Sequence, residues 1–225
     1  MKYQIFIGYD PREAIAFHTC VNSIIRHSSV PVSITPLALF NLPDYTEKHT
    51  DGSNQFIYSR FLIPHLMAHK GWALFIDGDM IVRDDIKNLF DLREENKAVM
   101  VVKHDYKTRA STKYLNAKNQ DYPRKNWSSV VLWNCGSAIN NILSPEYVAN
   151  STGETLHRFK WIPDERIGSL PIEWNWLPQE LGIWDQAKLI HYTLGTPCFR
   201  EYANDLMANE WHKERELTEY CQQLA

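Results

Sequence analysis

Apolar positions fall into two rhythms along the chain. In residues 2–7 (KYQIFI), 73–76 (ALFI) and 98–102 (AVMVV) they crowd together with little or no polar alternation. Such runs suit strands covered on both faces, as in a parallel sheet. Between the first two runs, Ala14, Phe17, Val21, Ile24 and Ile25 recur at spacings of three and four. That spacing predicts a helix over residues 11–28 with one buried face, with Asp10 as its N-cap and Pro11 in the first helical position. Residues 31–39 read as a second strand and the polar stretch 41–56, with Asp51-Gly52, as a loop. Helical spacing returns over 57–69 through Ile57, Phe61, Met67 and Ala68. Residues 80–82 form a short extended piece and 84–92 a short helix. The order strand, helix, strand, helix, strand is that of a doubly wound α/β domain. Strands near 129–133 and 187–191 complete the sheet in this reading. A last helix, about 204–223, carries Met207, Trp211, Leu217, Cys221 and Leu224 on one side.

Composition narrows the class. The 225 residues are 44% hydrophobic and 23% charged, which fits one globular domain with a substantial core. A net charge of −3 argues against a duplex-binding protein that relies on phosphate attraction, so no nucleic-acid partner is expected. No apolar run approaches the ~18 residues of a spanning helix, and the acidic balance of the last helix argues against a basic membrane-surface segment. The first residues, MKYQIFIGYDPRE, lack the long apolar region of an export signal. The four cysteines, Cys20, Cys135, Cys198 and Cys221, are scattered without a C-x-x-C pair. The expected state is therefore reduced and the expected location cytoplasmic, where the sequons at Asn126 and Asn150 carry no meaning.

Three local features carry candidate chemistry. In Ala73-Leu74-Phe75-Ile76-Asp77-Gly78-Asp79-Met80, two carboxylates follow a buried strand. Ligands of open α/β sheets sit beyond the carboxyl ends of strands. Residues two apart point the same way in extended chain, and Gly78 permits a turn or a close approach. Two hard oxygen donors suit Mn²⁺ or Mg²⁺, which bridge nucleotide phosphates; an acidic turn that merely ends a strand is the alternative. Arg60 stands in an apolar helical stretch and needs a partner, either a structural ion pair or those carboxylates. His191 ends a second apolar run, as a structural histidine or a third ligand. Residues 105–127 hold Lys107, Arg109, Lys113, Lys118, Arg124 and Lys125 against Asp105 and Asp121. They read as either a solvated loop or a lid bringing positive charge to an anionic substrate.

The order of these pieces resembles the GT-A-type glycosyltransferases, nearest to glycosyltransferase family 8, whose members retain configuration and use nucleotide sugars. The matching pieces are Ile5-Phe6-Ile7-Gly8-Tyr9-Asp10, Tyr58-Ser59-Arg60-Phe61-Leu62-Ile63-Pro64, Phe75–Val82 with its D-x-D, Trp133-Asn134-Cys135-Gly136-Ser137, and His191–Pro197. The resemblance implies a single GT-A domain with a Rossmann-like, mostly parallel sheet: a nucleotide-binding part (about 1–103), an acceptor-side part (about 104–203) and the terminal helix. It implies that Asp77, Asp79 and His191 hold Mn²⁺ or Mg²⁺. Gly8, Tyr9 and Asp10 would border the base and ribose of a UDP-sugar, and Arg60 would brace the carboxylates or the donor. Gly78, Asn134 and Gly195 would also lie along the donor site, and Asp164 and Glu165 near the reacting sugar. Trp174-Asn175-Trp176 would line the side that receives a glycan or small-molecule acceptor, or would simply be packed core. The family's lysine before Pro197 is missing and Cys198 replaces a tryptophan, so either Arg200 or a lysine of the basic segment substitutes at the phosphates or the donor is gripped more weakly. A haloacid-dehalogenase-like phosphatase needs a later acidic motif, whereas Gly-Asp occurs once, at Gly78-Asp79. A nucleotidyltransferase needs a basic glycine-rich first loop, which residues 8–13 do not supply. A non-catalytic sugar-nucleotide binder has no use for a retained metal set.

Overall fold

Alternation within the buried strands builds two cores, one on each face of a central sheet. In the computed structural model, which describes residues 3–42, 44–113, 119 and 121–219, the first strand is β1 (Tyr3–Tyr9). Its Ile5 and Ile7 join one core and Phe6 the other. A 3-10 turn (Pro11–Glu13), capped by the Asp10 side chain on the Arg12 amide, leads into α1 (Ala14–His27). That helix buries Ala16, Phe17, Cys20 and Ile24 against the Ile5/Ile7 face. β2 (Val32–Ala38) pairs in parallel with β1 at the sheet edge. The predicted helix over 57–69 is shorter and tighter than its spacing suggests. It is a 3-10 turn (Ser59–Leu62) running into α2 (Ile63–Leu66), stopped where Ala68 and His69 take positive φ. Phe56, Phe61 and Ile63 cover the Phe6 face.

The chain continues through β3 (Trp72–Ile76), β4 (Met80–Val82), α3 (Ile86–Asp91) and β5 (Val99–Val102). After the basic segment the chain returns as β6 (Val130–Asn134). After β6 come α4 (Pro145–Asn150), α5 (Gly153–His157), β7 (Ile167–Leu170), α6 (Pro178–Leu181), β8 (Leu189–His191) and α7 (Ala208–Glu219). Residues from 220 onward, with Cys221 and Leu224 of the predicted last helix, lie outside the described residues, as does Lys118.

Among the described residues the central sheet has six strands in the order β2-β1-β3-β6-β5-β7. All run parallel except β6, which is antiparallel to both neighbours. The expected doubly wound, mostly parallel sheet is therefore present, with two differences. The strand near 187–191 does not join it: β8 pairs antiparallel with β4 in a separate two-stranded sheet. The sixth place is taken by β7, a short strand whose Gly168 and Ser169 gave no sequence signal. Cys20, Cys135 and Cys198 are free thiols. No described helix is long and apolar enough to cross a membrane.

Candidate metal centre and sugar cleft

Two strand pairings assemble the centre. β3 ends at Ile76, so Asp77 and Asp79 emerge at the carboxyl end of a central strand. The chain turns at once into β4, whose Met80 pairs with His191 of β8. The Tyr192 amide donates to the Asp79 carbonyl (3.1 Å) and locks the register. Asp77, Asp79 and His191 are 8, 9 and 2% exposed, and one ligand atom from each lies within 4.8 Å of the others. His191 Nε2 stands 3.3 Å from Asp79 Oδ1 and 3.7 Å from Asp77 Oδ2. Gly78 makes the turn possible, because a Cβ there would fall 2.4 Å from the Gly8 carbonyl oxygen.

Arg60 completes the cluster. Its guanidinium donates to the carbonyls of Ile57 (3.0 Å) and Ser128 (2.9 Å) and lies over the Phe75 ring. Nη1 also sits 2.7 Å from Asp77 Oδ1. This contact is ionic rather than a directed hydrogen bond, since Asp77 Oδ1 and Asp79 Oδ1 are both buried without a hydrogen-bond partner. Burial, with Asp79 alongside, raises the Asp77 carboxyl above its ordinary range although Arg60 and His191 pull the other way. Two buried carboxylates with orphaned oxygens and a facing imidazole form a hard-cation donor set whose hydrogen bonding is incomplete and whose charge Arg60 offsets only on the Asp77 side. The residues present fit a divalent ion.

A cavity of 410 Å³ lies on the Arg60 side of the centre; Asp77, Asp79 and His191 do not line it, and its walls include Tyr58, Lys113, Tyr122, Lys125, His157 and Arg158. His157 bonds Ser128 Oγ (2.7 Å); the Ser128 carbonyl accepts from Arg60, and that of the next residue, Ser129, accepts from Asp77 N. Burial draws the Lys113 ammonium below the usual lysine range, against the pull of Asp79 and Asp77. Within the described part of the basic segment, Arg124 pairs with Asp164, Lys125 donates to Asn119, and the Arg109 amide donates to Glu180. These contacts tie the described residues of the segment down on either side, with Lys113 near the acids.

Other expected residues sit elsewhere. The Asp10 carboxylate is buried and taken up by the Arg12 amide and guanidinium and the Gln55 amide. Burial works against its ionisation, but these bonds hold its carboxyl below the ordinary range. Tyr9 packs edge-on against Phe17 and Phe40. Gly8 meets the Phe56 ring and Gly195 the Tyr202 ring so closely that packing alone explains the absent side chains. Asn134 is a correction. Because β6 is antiparallel, Val130 pairs with Ile76 while Asn134 pairs with Trp72, at the opposite end of the sheet from the metal centre. There its amide donates to the carbonyls of Glu95 and Lys97. Asp164 and Glu165 are likewise not brought to the centre. They are exposed at the amino end of β7, which is parallel to β5, and Asp164 pairs with Arg124 at 2.6 Å. Trp174 is 1% exposed in the core and Trp176 packs on Trp184, so this triplet does not line a surface for an acceptor.

Residues with no recognisable motif replace them. Ser128 and Ser129 open β6 at the centre: Asp77 N donates to the Ser129 carbonyl (3.2 Å). Asn175 is fully buried against His191. His104, 7% exposed with Nε2 unpartnered, is pushed down to about 4 by burial. The signal for the serines was the start of an apolar strand, which points at the site only once the strand's direction is known.

Comparison with known proteins agrees with this architecture. The model of glycosyl transferase family 8 matches residues 40–159. "Protein CDI" of Arabidopsis thaliana is 44% identical over 223 residues, covering 95% of this chain and 86% of that protein. Among solved structures, the apo bifunctional glycosyltransferase WbbM superposes with a TM-score of 0.62 at 16% identity. That match covers 95% of this chain, which spans about half (51%) of WbbM. The galactosyltransferase LgtC in complex with donor and acceptor sugar analogues gives a TM-score of 0.54 at 13% identity, covering 99% of this chain and 97% of that one. The structural likenesses carry the fold, and the family match and the Arabidopsis relative carry the kinship: the chain belongs to glycosyl transferase family 8 and is a glycosyltransferase of the GT-A fold.

Proposed function

We propose that the protein transfers a sugar from a UDP-sugar to a hydroxyl of a glycan or small-molecule acceptor, with retention of anomeric configuration and with Mn²⁺ held by Asp77, Asp79 and His191. The observation that carries this reading is the buried donor set with its two orphaned carboxylate oxygens, beside a polar cavity large enough for a sugar. A bound ion supplies positive charge against the charge that grows on a departing nucleoside diphosphate. Arg60 fixes the direction of the Asp77 carboxylate and favours its charged form. Lys113 adds a cation on the cavity side, where the phosphates of a donor would lie. The exposed ring of Tyr122 and the polar walls near His157 suit the mixed surface of a sugar and would hold an acceptor hydroxyl near the anomeric carbon. The free thiols Cys20, Cys135 and Cys198 fit a reducing compartment, and the cytoplasm is the expected location. The test is release of UDP from a panel of UDP-sugars with and without Mn²⁺. Metal-dependent release from one donor, lost in Asp79→Ala, is expected; metal-independent release that survives Asp79→Ala overturns the reading.

A further inference from the structure

The hydrogen bonds behind His191 decide which of its ring nitrogens faces the acids. The backbone of residues 175–176 runs beside β8: Trp176 N donates to the Leu189 carbonyl (2.9 Å) and His191 N to the Trp176 carbonyl (2.8 Å). This sets the Asn175 side chain, fully buried, against the imidazole. Ser129 Oγ donates to the Asn126 carbonyl (2.6 Å), so it is left to accept from Asn175 Nδ2 (2.9 Å). The amide nitrogen also points at the Asn126 carbonyl (3.4 Å). With Nδ2 committed there, Oδ1 must be the atom 3.0 Å from His191 Nδ1. A carbonyl-type oxygen only accepts, so Nδ1 carries a proton, and in the neutral ring Nε2 presents its lone pair. Nε2 then faces Asp79 Oδ1, which has no hydrogen-bond partner although it lies only 3.3 Å away.

We propose that Asn175, itself oriented by Ser129 and Asn126, is the positioning residue that fixes His191 in the Nδ1–H tautomer and so prepares Nε2 as a metal ligand. The same node reaches the basic segment. A ring N–H of His104, at the segment's start, bonds the Asn175 backbone, and Asn126, near its end, bonds the Tyr106 hydroxyl (2.6 Å). Orientation of the ligand, through the Asn175 side chain, and anchoring of the start of the basic segment, through the Asn175 backbone, thus share one buried residue. The proposal rests on the metal-centre reading, and the test separates the two.

The experiment pairs Mn²⁺ titration with nitrogen NMR of the His191 ring in metal-free protein at alkaline pH. Asn175→Leu removes the acceptor: Mn²⁺ affinity is expected to fall about 10–100-fold, the scale for loss of a ligand's outer partner, and the Nδ1–H signal to give way to a tautomer mixture. Asn175→Asp keeps an acceptor for Nδ1–H and should keep the tautomer, with affinity within about threefold of wild type. A folded Asn175→Leu with unchanged affinity and unchanged tautomer overturns the proposal. If that variant does not fold, Ser129→Ala decides. It frees the amide to flip, so a mixed tautomer is expected and an unchanged ring signal is the contrary result. Wild type that shows the Nδ1–H tautomer but binds no Mn²⁺ leaves the role of Asn175 standing and defeats the metal reading instead.

Discussion

The two ends of the central sheet are both rich in buried polar groups, and they use them in opposite ways. At the end where β1 and β3 finish, Asp77 and Asp79 keep oxygens without hydrogen-bond partners, next to Arg60, Lys113 and a cavity. At the other end, Asn134 donates to the carbonyls of Glu95 and Lys97, and Asn140, fully buried, donates to those of Ala98 and Asn134. The far-end amides tie β5, β6 and the following turn together, each spent on a backbone group. Single unsatisfied groups occur at the far end too, at Trp133 Nε1 and Arg166 Nε; what sets the site end apart is two facing carboxylate oxygens left without hydrogen-bond partners, a cost that a bound cation would offset.

The comparison breaks first at Asp79. Asp79→Ala is expected to lower sugar transfer by at least about a thousandfold, the scale of losing metal charge stabilisation. Its melting temperature should be unchanged or higher, since one of two facing carboxylates is gone; a large thermal loss would make Asp79 structural. Arg60→Leu should damage both properties. Asp77 loses its cation and the Ser128 carbonyl its donor, so about 3–5 kcal/mol of stability should go in denaturant titration, with activity down about a hundredfold. At the far end, Asn140→Leu should cost about 1–3 kcal/mol for the lost side-chain bonds to the Ala98 and Asn134 carbonyls, which keep their backbone donors, while kcat/KM stays within about twofold. Impaired turnover in that variant at full folding would erase the contrast.

The smallest expected effect concerns acid sensitivity at the site end. His104 titrates at 6.5 when unfolded but is pushed down to about 4 by burial in the fold. Between those values the unfolded chain binds a proton that the folded chain does not. The stability His104 contributes is therefore complete above pH 6.5 and is lost as pH falls through 4. His104→Asn should melt with a shallower dependence on pH in that window than wild type. Equal slopes would mean that His104 titrates normally in the fold.

Much of this was legible in the sequence where a local signal existed. The apolar runs located β1, β3, β5 and β6 within a few residues, the three-four spacing located α1, and the D-x-D with His191 pointed to three side chains that the fold brings together as a candidate metal centre. What failed was anything that depends on strand direction. Asn134 ends an apolar strand as Ile76 does, and only the antiparallel run of β6 sends it to the far end while bringing Ser128 and Ser129 to the centre. Asp164 and Glu165 misled for a related reason, since they precede a strand, β7, too short and glycine-bearing to be read. His191 reached its partners by pairing with β4 rather than by joining the main sheet, a contact set by register and invisible to periodicity.

The measurement that bears most directly on the central claim is calorimetric titration of UDP against wild type and Asp79→Ala, each with and without Mn²⁺. UDP binding by wild type that needs Mn²⁺ and is lost in Asp79→Ala is the predicted result. Equal UDP affinity in all four titrations, or none in any, would contradict a donor site built on Asp77, Asp79 and His191.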